Sequence, residues 1–456
     1  MTTTLPKPPP GRTRVPGADG ALLRRRRGRG LATVFVLPAL LLLGALVVYP
    51  IGYSVGRSLF DASGDHFIGL DNYRTAFADP ATLTALRNNA IWVVVAPALV
   101  TVLGLIFAVL TERVSWGTAF KLLVFMPMAV SFLAAGIIFR LVYDQDPNQG
   151  VLNAVVVAVH DTFAPPSPYP GAHPREDNPL VAAKDGSAHL AVDAVSPSGL
   201  LLPLLGVPPT SLPKDARPAV APAAASGDTL NGVAFLDFVP GGGGKPGAIG
   251  SGKKGMPGLT VQLYQGGKKI GSATTAADGS FHLARPAGAA AGSGALQVVL
   301  PASDFAQPYQ GVSWLGPGLV TPAVIGAYIW IWAGFAMVVI GAGLANLPRD
   351  TLEAARIDGA NEWQVFRRIT VPQLAPVLGV VFVTMVINVM KIFDLVYIIA
   401  PQPVQQNADV LALQLWLDSF GGADDQGLGS TLGVLLLLLV VPFMVLNIRR
   451  FRRSSR

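Results

Sequence analysis

"DTLEAARIDGANEWQVFRRITVP", Asp350 to Pro372, is the most polar stretch in the apolar C-terminal third of this 456-residue chain. It lies between two long hydrophobic runs and carries its own folding signals. Leu347-Pro348 ends the preceding run. Asp350 is placed to cap a helix, with Glu353 three residues on to complete a capping box. Gly359 suits the left-handed residue that ends a helix. Asn361 with Gln364 repeats the cap for a second short helix. There Trp363 and Phe366 share a face that Ile369 continues, and Pro372 opens the next run. The spacing predicts helix, sharp turn, helix. On these residues alone, the stretch reads as an interfacial connector anchored in lipid by Trp363 and Phe366, or as a knob shaped for another protein.

The surroundings explain why such an object needs a reason. The chain is 51% hydrophobic and 13% charged, with mean hydropathy +0.49, whereas charged residues usually approach ~25% of a soluble domain. It has no cysteine, which excludes disulfides and thiolate metal sites. Its five scattered histidines offer no metal-ligand cluster. The net charge of +7 comes from basic residues bordering hydrophobic segments, a membrane topology signal that argues against nucleic acid as a partner.

Six runs are apolar enough to cross a bilayer as helices: Leu31–Ile51, Ala90–Leu110, Leu122–Tyr143, Leu319–Leu344, Pro372–Ile399 and Leu428–Ile448. The first follows Arg24 to Arg27, but its length and the lack of a small-residue cleavage site read as a retained helix. Lys and Arg favour the cytoplasmic side in short loops. With the N-terminus inside, the inner segments 1–30, 111–121, 347–372 and 449–456 hold nineteen of the thirty-four basic residues. The outer segments 51–89 and 400–427 hold three and none. Both termini and the opening stretch are therefore expected in the cytoplasm, and the long segment 144–318 outside, at a plasma membrane that the chain crosses repeatedly.

Within that long segment, residues 161–228 are rich in Pro, Ala and Gly and read as a semi-rigid or disordered linker. Residues 229–305 change character. "GVAFLDF", "LTVQLYQ", "KKIGSATT", "GSFHLA" and "ALQVVL" are short and β-prone, and Gly266-Gly267 and Asp278-Gly279 are two-residue hairpin signals. They predict a small antiparallel sandwich. About seventy residues from Gly232 resemble SdrD B-like and Cna-B-like modules of surface proteins, with Phe281 where Tyr is common and few acidic residues for calcium. "GAIGSGKK", Gly247 to Lys254, nearly spells a phosphate-cradling loop. Lys254 stands where Ser or Thr would hold magnesium, and no strand-to-helix context surrounds it. It reads as a flexible basic loop.

The spacing of the opening stretch supplies a second resemblance. Glu353-Ala354-Ala355, three residues, Gly359, nine residues, Ile369, one residue and Val371-Pro372 resemble the E-A-A-x3-G-x9-I-x-L-P loop of ABC-importer permeases, with Val371 for Leu. "FIGLDNYRTAF" (67–77), "ALRNNAIWVVV" (85–95), "FMPMAVSFLAAGIIFRLVYD" (125–144), "GVSWLGPGLVTPAVIGAYIWIWAGFAMVVIGAGL" (311–344) and "KIFDLVYIIA" (391–400) resemble the maltose-type, carbohydrate-uptake branch. The likeness covers roughly residues 30–160 and 310–450.

This resemblance implies an all-α polytopic permease of six transmembrane helices with the β-sandwich inserted. The parts are a cytoplasmic basic tail (1–30), a first permease segment (31–160), the linker (161–228), the sandwich (229–305) and a second permease segment (306–456) with its coupling loop at 347–372. It implies that Glu353, Ala354, Ala355, Asp358, Gly359, Trp363, Phe366, Ile369 and Pro372 form the loop that docks on partner ATPases. Two such ATPase subunits, a second similar permease and an extracellular solute-binding protein are the implied partners. ATP and magnesium would be bound by the ATPases, with no cofactor or metal in this chain and no catalysis by it.

Charges inside a span usually face a pathway or a partner. Lys391 and Asp394, three apart in the fifth run with Asn388 a turn earlier, read as a self-satisfying pair or as part of a solute path with Tyr397. Tyr328, Trp330 and Trp332 in the fourth run are aromatic platforms for a sugar, or interface anchors. A different reading of the whole is a membrane-anchored surface or adhesion protein whose function lies in the sandwich. A proton-coupled carrier would want buried acidic relays, which the runs do not display.

Overall fold

The computed structural model describes residues 35–112, 114, 116–192, 199–223, 229–284 and 295–454. The basic tail (1–30) and the first residues of the first run lie outside the described residues. The chain forms two compact units, one of residues 1–144 and 313–456, the other of residues 145–312.

In chain order the first unit opens with α1 (Phe35–Arg57), α2 (Asp71–Ala78), α3 (Pro80–Glu112), α4 (Gly117–Phe125) and α5 (Phe132–Val142). The second unit holds α6 (Val151–Phe163) and nine strands. These are β1 (His173–Pro174), β2 (Leu180–Ala182), β3 (Ala188–Val192), β4 (Leu200–Leu205), β5 (Thr229–Leu236), β6 (Thr260–Gln265), β7 (Lys268–Thr274), β8 (Ser280–Ala284) and β9 (Leu296–Leu300). The first unit then resumes with α7 (Val320–Ala345), α8 (Arg349–Ile357), α9 (Glu362–Val389), α10 (Asp394–Ile399), α11 (Gln405–Ala408), α12 (Leu411–Phe420) and α13 (Gln426–Ser454).

Five helices of the first unit, α1, α3, α7, α9 and α13, are long and apolar enough to cross a membrane. The third run is not one straight span. The helical segment Gly117–Ala129 and α5 meet at 103°. Pro127 sits in a 3-10 turn, Val130 is extended, and the Ser131 hydroxyl caps α5 by accepting from the Ala134 amide at 3.2 Å. The chain thus ends one helix and starts another where a continuous helix was expected. The pair counts as a sixth span only if taken together.

α7 is the centre of this unit. Ala336 on it lies so close to Gly104 of α3 that a side chain there would collide, and Gly334 is pressed onto the Val124 carbonyl before α5. Small residues at such crossings let helix backbones approach closely in lipid. The Tyr143 hydroxyl donates to the Ala323 carbonyl at 2.9 Å, tying the end of α5 to α7.

The fifth run also differs from its reading. It starts ten residues before Pro372, at Glu362, and stops at Val389 rather than Ile399. Phe366–Thr370 form a π-helical turn whose Val371 amide reaches the Phe366 carbonyl. Pro372 lacks an N–H, and a widened turn is a common way for a helix to run past such a break. Past Val389 the chain leaves helical geometry, and α10 begins only at Asp394.

The second unit has a four-stranded sheet, β1-β4-β5-β8, and a five-stranded sheet, β2-β3-β9-β6-β7. Leucines and valines of both, with Tyr169, Met256 and Phe281, form one buried core. Two readings are revised. The segment 161–228 is no mere linker, since β1 to β4 arise there and bury Leu180, Leu190, Leu202 and Leu204. The sheets are not wholly antiparallel, because β4 runs parallel to β5. Gly266-Gly267 closes a hairpin in which Gln265 faces Lys268, with φ of 56° and 81°. Asp278-Gly279 is a turn too, but it links β7 of one sheet to β8 of the other.

Candidate functional site

Two places in the helical unit gather the residues singled out in the sequence. The first is the elbow formed by α8 and the start of α9. Asn361 and Gln364 make the anticipated capping box, with bonds of 2.8 and 3.0 Å. Gly359 is left-handed at φ 84°, and the Ala360 amide closes back on the Ala355 carbonyl at 3.0 Å. Arg356 and Glu362 bridge the turn at 2.9 Å. The Asp350–Glu353 box is absent. α8 starts at Arg349 with Pro348 in the cap position and no side-chain cap bond, so Asp350 falls inside the first turn, where its charge meets the positive end of the helix dipole. Trp363 and Phe366 stack at 5.6 Å.

Glu353, Ala354, Asp358 and Gly359 are exposed on this elbow, Ala355 half-buried, and Ile369 half-buried on the turn that leads to Pro372. One residue of the surface escaped notice: Ile357 is 85% exposed, more than Trp363 at 65%. An isolated isoleucine in a short helix reads as core, and only the position of the turn reveals that it points outward. Behind the elbow is a cavity of about 560 Å³ lined by Leu110, Leu344, Leu352, Trp363 and Phe366 among others.

The second place is a cavity of about 210 Å³ lined by Phe132, Tyr328, Trp332, Asn388, Lys391, Asp394 and their neighbours. Three breaks in helical geometry create it: the kink before α5, the end of α9 and the start of α10. Tyr328 is buried, packs edge-on against Trp92 at 5.6 Å, and turns its hydroxyl toward the Met385 sulfur at 3.9 Å. The Trp332 indole N–H is buried with no hydrogen-bond partner among the described residues. Trp332 lies near the middle of α7, so the cavity sits near the middle of a span. Asn388 donates to the Thr384 carbonyl at 3.0 Å.

Lys391 and Asp394 are not a helical pair within one span. Lys391 is in the break and Asp394 opens α10, and no ion pair joins them among the described residues. Tyr397 does not line this cavity. It stacks on Phe393 at 5.5 Å and meets Trp416 edge-on at 5.2 Å. That aromatic group was invisible in the sequence, because Trp416 comes from a loop helix nineteen residues away. Trp330 is on the outer face of α7 against Phe139 at 5.2 Å.

Near the start of α3, Asn88 donates to the carbonyls of Asn407 and Asp409 at 2.9 and 2.8 Å, and Asn89 accepts from the Leu411 amide at 2.8 Å. Asp409 is buried at this junction. Burial first, then the charges of Asp418 and Asp79, raise its pKa to about 7. In the sheet unit the near-phosphate loop has another use. Lys253 is buried and pairs with buried Asp237, and its Nζ also donates to the Lys245 and Ala248 carbonyls at 2.7 Å. Arg175 and the Gly247 amide donate to the same carboxylate at 3.0 and 2.9 Å. The lysine is spent on the fold, and the loop is pinned, not slack.

Residues 291–452 match the family described as binding-protein-dependent transport system inner membrane component. The chain is 28% identical to the osmoprotective compounds uptake permease GgtC of Synechocystis, over 93% of this chain and 99% of that one. It is 29% identical to the alpha-glucoside transport permease AglF of Rhizobium meliloti, over 92% and 82%. Alignments this long take in the sheet unit as well as the helices. A solved bacterial ABC transporter that imports alginate has the same fold across 96% of this chain and all of its own, at 14% identity and a TM-score of 0.54. The class follows: the chain is a transmembrane permease subunit of an ATP-binding-cassette importer, a multi-pass protein of the inner membrane. The reading as an anchored adhesion protein is set aside.

Proposed function

We propose that this permease carries a sugar, and that the solute passes through the cavity between Trp332 and Asn388. The observation behind this is the cavity itself, where an aromatic face, an amide, a charged pair held apart and an unpartnered indole N–H converge at mid-span. Buried donors ordinarily have partners, so a donor without one beside an opening suits a hydroxyl-rich ligand. Curated relatives named for alpha-glucoside, for trehalose and maltose, and for xylose and arabinose transport give the same direction.

The elbow supplies the drive. In this reading Glu353, Ala354, Ala355, Asp358 and Gly359 seat against an ATPase subunit, with Ile357 and Trp363 as apolar contacts. ATP and magnesium are bound there, outside this chain. A second permease completes the channel, and two ATPases and a solute-binding protein complete the importer. Both termini then lie in the cytoplasm. The sheet unit lies outside as an accessory module similar to SdrD B-like domains.

Uptake of labelled glucosides, pentoses and alginate fragments into proteoliposomes containing the assembled importer tests this. ATP-dependent uptake of a sugar that Trp332→Ala weakens, while ATPase activity persists, is the expected result. Transport confined to non-carbohydrate solutes overturns it.

A further inference from the structure

The helix α6 is built inside out for a protein surface in water. Val151, Val155, Val159 and Phe163 recur every four residues and form one stripe, exposed by 60%, 57%, 56% and 85%. Ala154, Ala158 and Thr162 fill the same exposed face. Asn153 and His160 lie on the opposite side of the helix. Asn153 is fully buried, and His160 stacks on Tyr309 with ring centroids 4.3 Å apart. On a helix bathed in water the apolar stripe faces the core and the polar residues face out.

The chain also fixes where this helix is. Asn153 holds both strands of chain that join this unit to the spans. Its Nδ2 donates to the Gln145 carbonyl at 3.3 Å and to the Val312 carbonyl at 2.9 Å, and its Oδ1 accepts from the Val312 amide at 2.8 Å. Gln145 is three residues past the end of α5, and Val312 is eight before the start of α7. At about 3.5 Å per residue, the first tether allows only ~10 Å between that bond and the end of α5, the outer arm of the bent pair, and the second ~28 Å to the spanning helix α7. α6 has thirteen residues, about 20 Å of helix, too short to cross a hydrocarbon core of ~30 Å.

We propose that α6 is an interfacial helix, lying along the bilayer surface with Val151, Val155, Val159 and Phe163 in the acyl region. Lipid, rather than a protein, is the partner of this face. The apolar stripe is uninterrupted by any charge that would pair with a protein partner, and the tethers hold it at membrane level. This does not depend on which solute is carried. It anchors the sheet unit at the point where the chain enters and leaves it, so that the unit is tied to the membrane by more than two strands of chain.

The chain has no cysteine, so single labels report without background. V155C and V159C, each carrying an environment-sensitive nitrobenzoxadiazole probe, would be examined in the assembled importer in phosphatidylcholine nanodiscs, with K268C on exposed β7 as the reference. Expected are blue-shifted emission at 155 and 159, quenching by lipids doxyl-labelled near the headgroup, and resistance to iodide, with the reverse at 268. Iodide quenching at 155 and 159 equal to that at 268 overturns the proposal, because the face is then in water. Protection from both iodide and doxyl lipid also overturns it, because a protein then covers the stripe. Two positions are used so that a misfolded variant at one leaves the other to decide.

Discussion

The two units treat their charged side chains in opposite ways: buried and paired in one, open to a cavity in the other. In the sheet unit Asp237 is surrounded by donors: Lys253, Arg175 and the Gly247 amide all reach it. In the helical unit Lys391, Asp394 and the Trp332 N–H share one cavity, and no hydrogen bond or ion pair joins them to one another among the described residues. A saturated cluster is architecture, since nothing remains for a visitor to bind. A cluster left unsaturated at mid-span keeps its bonding capacity in reserve. Burial and the tally of partners both separate the two, since Asp237 and Lys253 are buried while Lys391 and Asp394 are open.

The largest effect is expected at the elbow, which must work if the cavity is to matter. Gly359→Val forces a β-branched residue to φ 84°, where space is open but the backbone conformation is costly. It and Glu353→Lys should abolish uptake while leaving the chain inserted in the membrane. Normal transport by both would remove the coupling role.

Lys253→Met tests the saturated side. It leaves a buried carboxylate short of its main donor, at a cost of about 3–5 kcal/mol, read as a fall in the unfolding midpoint of the sheet unit. Burial by itself would raise the Asp237 carboxyl, yet the bonds from Lys253, Gly247 and Arg175 hold it below the usual range. A depressed carboxylate stabilises the fold above its unfolded pKa. That contribution is lost as pH falls through the folded value, so the wild-type unit should lose stability in acid.

Asp409 has the opposite sign. Its pKa is raised to about 7 from ~3.9 in an unfolded chain. Between these values the folded state holds a proton that the unfolded chain has released, so stability declines as pH rises through that window. Thermal unfolding of the solubilised permease should show the decline, at up to ~1.4 kcal/mol per pKa unit, and Asp409→Asn should flatten it.

Trp332→Ala probes the unsaturated side. It should raise the half-saturating solute concentration roughly tenfold, the equivalent of ~1.4 kcal/mol, with little change in the melting of the sheet unit. A melting change without a transport change would make Trp332 a packing residue. Of similar size is Gly267→Ala in the β6–β7 hairpin, expected to cost ~1–2 kcal/mol for its positive φ.

Much of the helical unit was legible because its signals are long. Runs of about 20 apolar residues announce spans whatever their neighbours do. The breaks were not legible. Nothing local separates Pro127, which sits at a kink, from Pro97, which α3 absorbs. Lys391 and Asp394 looked like a helical pair only because the helix was assumed to continue. The elbow was read well where caps are local, at Asn361 and Gly359, and misread where its edge depended on Pro348. In the sheet unit the five later strands are short β-prone runs set off by turn residues, and β6 and β8 also alternate in burial. The earlier ones are hidden by proline and alanine, and β4 finds its place only through a parallel partner distant in sequence.

One feature of the elbow carries a mechanical consequence. α9 is a single piece from Glu362 to Val389, passing through its π turn without a joint. It is a rod of about 42 Å, with Trp363 at one end and Asn388 at the other. A tilt of ~10° imposed at the first would displace the second by about 7 Å over that length, a distance comparable to the width of a sugar ring. The protein needs no relay of side chains between the two places, because one stiff helix already joins them.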